Sequence, residues 1–148
     1  MISKVIITIF LFFLFTVYSY SAASTSSGSE SSYDKAARII KSAKKYESKG
    51  KTEKAKKRYE KALKLLIKAN KKTPNQADTL NYLGFTTRKL GNYEKGEEYY
   101  LLGLKIDPNH KGINEYLGEL YVVTNRIELA KKRLDILKNC NCEEYQEL

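Results

Sequence analysis

Apolar residues recur at every third or fourth position of this chain from about residue 33 to residue 138, and no stretch shows the two-residue alternation of a β-strand. Gly50, Gly91 and Asn125 interrupt the pattern, and these residue types tolerate the left-handed conformation that closes a helix. Pro74 and Pro108 also interrupt it, since proline cannot continue a helix. The pattern therefore predicts an all-α chain of short helices joined by tight turns.

The helical pattern repeats along the chain. Residues 77–110 align at an offset of 34 with the stretch that begins at Lys111, and also with the stretch that begins at Ala36 if seven additional residues lengthen its second helix. Small residues fall at two matching places of the three stretches, the eighth (Ala43, Gly84, Gly118) and the twentieth (Ala55, Gly96, Ala130). Because glycine inside a helix costs about 1 kcal/mol relative to alanine, we expect paired helices to cross closely at these places.

Large residues at matching places are expected to fill the core that the helices share. They are Ile39, Tyr46, Tyr59, Leu80, Leu83, Tyr93, Tyr100, Leu117, Tyr121, Ile127 and Leu134. The chain has 12 tyrosines, but their helical spacing favours a core role over an exposed aromatic binding stripe.

The second stretch resembles a tetratricopeptide repeat, a helix-turn-helix unit that stacks on copies of itself. The signature places hold Leu80, Leu83, Gly84, Gly91, Tyr93, Gly96, Tyr100, Gly103 and Pro108. The resemblance covers about residues 34 to 140. It implies an α-solenoid of three antiparallel helix pairs, with repeat 1 at 34–76, repeat 2 at 77–110 and repeat 3 at 111–139. Asn114 and Leu137 depart from the pattern, so we expect repeat 3 and the tail at 140–148, with a short capping helix, to close the C-terminal end against water.

The resemblance also implies a function, because the first helices of such repeats line a concave groove that holds a peptide or helix of another protein. The matching places assign partner binding to Lys44, Asn81, Phe85, Arg88, Glu115 and Glu119. Phe85 beside Arg88 has the composition of a binding hot spot if its ring is exposed. The alternative is that Phe85 packs under the C-terminal helix.

The first 23 residues have the order of a secretory signal peptide, with Lys4, an apolar run at 5–18 and small residues at 21–23. The run has 14 residues, whereas a membrane-spanning helix needs roughly 20, so a cleaved signal is favoured over an uncleaved N-terminal anchor. Residues 24–33 are rich in serine and predict a flexible leader. We expect a periplasmic or secreted protein that resembles small exported bacterial tetratricopeptide proteins, with another protein or peptide of the cell envelope as its partner.

The net charge of +10 is concentrated in the first repeat. Residues 35–72 contain 16 Lys or Arg and three Glu, a surplus of 13, whereas residues 77–148 contain 10 basic and 12 acidic residues. This asymmetry suggests a second hypothesis, in which residues 35–72 dock on an anionic membrane surface or polymer. A solvated lysine-rich face is the simpler interpretation, and nucleic acid is not an expected partner of an exported protein.

Enzymatic motifs are absent from the sequence. His110 is the single histidine, and we find no phosphate-binding glycine loop or His-Glu-x-x-His motif, so the prediction is a noncatalytic scaffold without cofactor. Cys140 and Cys142 cannot by themselves close a four-coordinate zinc site, so no metal is expected. In an oxidising compartment they predict a structural disulfide within the tail. A disulfide between chains, free thiols and a redox-active pair remain open.

Overall fold

The computed structural model describes residues 30–148, and this part of the chain consists of α-helices and turns without a strand. The helices are α1 (Ser32–Glu47), α2 (Thr52–Lys72), α3 (Ala77–Lys89), α4 (Tyr93–Ile106), α5 (Lys111–Val123), α6 (Ile127–Leu137) and α7 (Glu143–Glu147). The predicted signal peptide and most of the predicted leader lie outside the described residues. Within residues 30–148, no helix is both long enough and apolar enough to cross a bilayer.

The helices pack as three consecutive pairs. α1 lies along α2, α3 along α4, and α5 along α6, and each pair also contacts the next, α2 with α3 and α4 with α5. The first helices of successive pairs contact each other as well, α3 touching both α1 and α5. The short α7 packs on α5 and α6. This arrangement confirms the predicted α-solenoid of three helix pairs with a short C-terminal helix.

The turns form where the sequence predicts them. Gly50, Gly91 and Asn125 have positive φ values of 67°, 93° and 58°, which is the left-handed conformation expected at the end of each first helix. The second helices of the first two pairs end just before Pro74 and Pro108. Glycine and asparagine therefore close the first helices, and proline follows the end of two of the second helices.

Both helices of the first pair are longer than the corresponding helices of the second pair. α2 has 21 residues and α4 has 14, so the seven additional residues do lengthen the second helix. α1 begins at Ser32, inside the segment 24–33 predicted to be flexible. The Ser31 side chain accepts a hydrogen bond from the backbone N–H of Asp34 at 3.1 Å, and the Tyr33 ring lies 5.7 Å from that of Tyr82 in α3. Helix capping and this aromatic contact thus order the last residues of the predicted leader.

The small residues at the eighth and twentieth places are all buried. Gly84 and Gly96 bring α3 and α4 into backbone contact, because a Cβ added at Gly96 would lie 3.1 Å from the carbonyl oxygen of Gly84. Their predicted role is therefore confirmed. Gly118 differs, since a Cβ there would meet the side chain of Leu148, which follows α7, before it met α6. At this place the small residue accommodates the tail.

The predicted core is largely buried, with two exceptions. Tyr93 and Ile127 are 46% and 43% exposed, contrary to the prediction. Each is the first residue of the second helix of its pair, so it lies beside a turn where no neighbouring helix covers it.

The third pair departs from the pattern in an unexpected way. Asn114 is fully buried rather than facing water. Its amide nitrogen donates to the carbonyl oxygens of Pro108 and His110 at 3.1 and 3.0 Å, and its oxygen accepts from Arg133 at 3.2 Å. The polar side chain is satisfied inside the protein, which explains how it replaces a bulky apolar one.

Candidate protein-binding face

The helices α1, α3 and α5 meet on one side of the solenoid, and side chains from all three touch there. We call this surface the first-helix face. It consists of Lys44 and Glu47 from α1, Phe85, Arg88 and Lys89 from α3, and Tyr116 and Glu119 from α5. The face includes four of the six residues that the resemblance assigned to partner binding.

Phe85 is the centre of the first-helix face, but its ring is buried and only 1% of the residue is exposed. The Tyr59 ring from α2 lies 5.8 Å away and the Tyr116 ring from α5 lies 4.8 Å away. The expectation of an exposed aromatic is therefore wrong, because two aromatic side chains from other helices cover the ring, Tyr59 edge-on and Tyr116 at a tilt. Phe85 does not pack under the C-terminal helix either, since α3 and α7 make no contact.

Three cationic side chains surround the buried ring. The Nζ atoms of Lys44 and Lys89 lie 5.1 and 5.6 Å from the centroid of the Phe85 ring, and the guanidinium carbon of Arg88 lies 5.8 Å from it. The Lys44 Nζ also donates a hydrogen bond to the Tyr116 hydroxyl at 2.9 Å. Cations within about 6 Å of a ring centroid are attracted by the negative face of the ring. The cluster thus joins the first helices of all three pairs.

Carboxylates neutralise two of these cations. Lys89 pairs with Glu47 at 3.0 Å, and the nearly buried Arg88 pairs with Glu119. Burial alone raises the pKa of Glu47, but hydrogen bonds from Lys89 and from the Tyr59 hydroxyl outweigh burial, so the pKa lies below its usual value. Lys44 has no carboxylate within 4.0 Å among the described residues. It is therefore the exposed cation of the face whose charge is unpaired.

Glu115 and Asn81, which were also predicted to contact a partner, are buried. Glu115 lies beside the tail. Burial, then the hydrogen bond and charge of Glu147, then the charge of Glu119, raise its pKa to about 8, while Lys44 opposes them. Asn81 packs against Gly112, where an added Cβ would lie 2.7 Å from the Asn81 amide nitrogen. Neither residue belongs to the first-helix face, and their proposed role in binding stays a prediction.

Three residues of the face, Glu47, Lys89 and Tyr116, are not among the six assigned from the sequence, and Tyr116 is the one that packs on the Phe85 ring. It occupies the same place in the third pair that Tyr82 occupies in the second, 34 residues earlier. The recurrence of tyrosine at this repeat position is the sequence feature that could have identified Tyr116 as part of the face. The periodicity alone cannot show that Tyr116 reaches Lys44, which is 72 residues away in sequence.

The tail carries the remaining candidate chemistry. The Cα atoms of Cys140 and Cys142 are 5.1 Å apart, within the range of a disulfide. Their oxidation state stays a prediction. Among the described residues, no group of three or more His, Cys, Asp or Glu side chains could hold a metal ion.

Comparison with known proteins supports the family assignment. The family model described as tetratricopeptide repeat matches residues 41–65 and 77–110, which span most of the first two helix pairs. No curated protein matches the chain significantly. Repeats of this family are protein–protein interaction modules. From the matched residues and the paired helices, the chain belongs to the tetratricopeptide repeat proteins.

Proposed function

We propose that this protein is a noncatalytic scaffold or adaptor that holds a peptide segment or a helix of a partner protein against its first-helix face. One observation carries the proposal. Lys44 is an exposed cation without an ion-pair partner among residues 30–148, and aromatic rings and a hydrogen bond from a neighbouring helix hold it in place. A positioned charge of this kind provides specificity in binding.

The partner is expected to present an Asp or Glu to Lys44. Arg88 and Lys89 are already paired with carboxylates of this chain, so a second carboxylate near them gains little. The side chains of Glu47 and Glu119 remain 40% and 34% exposed and can accept hydrogen bonds from polar groups on either side of the partner carboxylate. We therefore infer a segment with a central acidic residue and polar flanks.

The location of the partner is a further part of the proposal. Support for a cell-envelope partner comes only from the order of charged, apolar and small residues in the first 23 positions of the sequence. Fractionation of producing cells, with and without an intact apolar run at 5–18, measures whether the protein and its partner occur together in the envelope.

Binding measurements on surface variants test the face. Once a partner has been captured by crosslinking, its affinity for the wild type is compared with its affinity for Lys44→Ala and Lys45→Ala. The two lysines are neighbours on α1, and both are exposed, but only Lys44 touches the aromatic cluster. We expect Lys44→Ala to weaken binding about tenfold and Lys45→Ala to change it by less than about twofold. Equal affinities of the two variants would contradict the proposal.

A further inference from the structure

α2 carries a straight row of lysines. Six of them are separated by three or four residues, and all six are exposed: Lys54, Lys57, Lys61, Lys64, Lys68 and Lys71. With about 3.6 residues per turn and a rise of about 1.5 Å per residue, this spacing places them on one side of the helix over roughly 25 Å. We call this surface the lysine row.

The lysine row lies on the exposed side of α2, and at its start the Lys54 Nζ lies 6.0 Å from the centroid of the Tyr46 ring in α1. The buried residues of α2 are Ala55, Tyr59, Ala62 and Leu66, which follow the same spacing on the opposite side of the helix. If α2 had the 14 residues of α4, it would end near residue 65. The longer helix of the first pair therefore adds Lys68 and Lys71 to the row.

No carboxylate of the described residues forms an ion pair with the lysine row. None of the six ammonium groups lies within 4.0 Å of an acidic oxygen in this part of the chain. In the later helix pairs, by contrast, basic side chains do form ion pairs with carboxylates. These pairs are Lys95–Glu98, Arg126–Glu97 and Lys131–Glu128. Like charges spaced by three or four residues destabilise a helix. Glu53 and Glu60, which stand four residues before Lys57 and Lys64, offset this repulsion only in part, and an external anionic surface would relieve the rest.

The chemistry of the row favours a lipid surface over nucleic acid. The six lysines present compact charges that attract any polyanion, so the neighbouring side chains must distinguish the candidate surfaces. Single-stranded nucleic acid would also need aromatic side chains for base stacking, but Tyr59 is buried on the other side of the helix. An exposed apolar residue, Ile67, lies between Lys64 and Lys68 in sequence and is 51% exposed. Clusters of about four to eight Lys or Arg on an amphipathic helix are typical of proteins that bind anionic bilayers.

We propose that the lysine row docks on the surface of a bilayer that contains anionic phospholipids. This site is separate from the first-helix face and needs no protein partner. The solenoid would lie with α2 against the lipid headgroups while another protein binds elsewhere on it. Failure of this proposal would leave the function proposed for the first-helix face intact, and the reverse also holds.

Lysine footprinting of the full chain tests the docking surface residue by residue. The protein is mixed with vesicles of phosphatidylglycerol and phosphatidylcholine, or of phosphatidylcholine alone, and is treated with an amine-acetylating reagent before mass spectrometry. We expect the lysine row to lose reactivity at least about threefold on the anionic vesicles only, and less at high salt. Lys105 and Lys111, which are exposed in later helices, serve as internal references. The site-by-site readout separates docking of α2 from insertion of the apolar run at 5–18.

A matched pair of variants distinguishes binding through the lysine row from a general effect of net charge. One variant changes the six row lysines to Gln, and the other makes the same change at Lys45, Lys49, Lys51, Lys105, Lys111 and Lys132. After circular dichroism has confirmed helical content, we expect the row variant to bind anionic vesicles at least about tenfold more weakly than the second variant. The proposal would be overturned if both variants lost affinity for anionic vesicles equally. It would also be overturned if the vesicles protected Lys105 from acetylation as strongly as the lysine row. Protection of the row by duplex DNA or polyphosphate but not by vesicles would overturn the lipid assignment.

Discussion

The second and third helix pairs place a glycine at the same repeat position, Gly84 and Gly118, but different parts of the chain cover the two glycines. A Cβ added at Gly84 would lie 2.5 Å from the Tyr100 ring, which belongs to the second helix of the same pair. At Gly118 the corresponding neighbour is Leu148 in the tail. The third pair has Leu134 where the second has Tyr100, and this shorter residue is only partly buried. A pair inside the stack is thus closed by its own second helix, and the last pair by the tail.

The largest expected effect comes from removing the ring that covers Gly84. Tyr100 is fully buried, so Tyr100→Ala should lower the free energy of unfolding by about 3–5 kcal/mol through lost burial and a cavity. Chemical denaturation followed by circular dichroism measures this change. The matched variant Leu134→Ala should lose clearly less, and a loss as large as that of Tyr100→Ala would contradict the comparison.

Tyr100→Phe is a control for the hydroxyl group. The Tyr100 hydroxyl is buried close to the Arg88 guanidinium, but the two groups do not meet in hydrogen-bond geometry. Its removal should therefore be neutral or slightly stabilising. A loss above about 1 kcal/mol would mean that the hydroxyl, rather than the ring, provides part of the stabilisation.

Alanine at the two glycines sharpens the comparison. Gly84→Ala should destabilise the protein by about 1–3 kcal/mol, because the buried Tyr100 ring cannot move away from the new methyl group. Gly118→Ala should change stability by less than about 1 kcal/mol, since the flexible end of Leu148 can move and alanine favours the helix. Thermal unfolding of both variants measures the difference. If both substitutions lower stability equally, the Leu148 side chain is held in place as firmly as the Tyr100 ring.

The second and third pairs also differ in whether one buried position carries a titratable side chain. Asn81 and Glu115 occupy the same repeat position, and only Glu115 can gain or lose a proton. Its pKa is raised from 4.5 to about 8 in the folded state, so between these values the folded protein holds a proton that the unfolded chain has lost. The stability that this proton provides is lost as pH rises from about 4.5 through about 8, by at most about 1.4 kcal/mol per pH unit.

Thermal unfolding from pH 5 to pH 9 checks this expectation. The wild type should lose stability over that range, because ionised Glu115 is buried and repels Glu147 and Glu119. Glu115→Gln should show a weaker pH dependence, whereas Asn81→Asp should introduce a new dependence in the second pair. Identical pH profiles for wild type and Glu115→Gln would show that Glu115 titrates normally.

The sequence predicted the features that depend on neighbours along one helix or across one turn. Gly50, Gly91 and Asn125 adopt positive φ because local backbone geometry requires it, and Gly84 meets Gly96 because each pair repeats the same crossing. These are local constraints, and they recur at the repeat interval. They therefore leave a readable pattern in one sequence.

The surface of the candidate site was harder to predict. Phe85 occupies a position that faces ligands in the resembled family, but its exposure depends on Lys44 and Tyr116, which come from two other helices. The cover of Gly118 depends on Leu148, in a tail without repeat periodicity. Periodicity assigns a residue to a side of its own helix, but it does not show which side chain of a neighbouring pair covers it.

Photo-crosslinking tests the central functional claim most directly. A photoreactive benzoylphenylalanine is placed at position 41, which is exposed one turn before Lys44 on α1, or at position 105 on α4, and the protein is irradiated in cells that produce it. We predict that position 41, with Lys44 intact beside it, forms an adduct with one recurring partner, and that position 105, which is also exposed, does not. Adducts of the same partner from position 105 alone would place binding on the second helices and contradict the account.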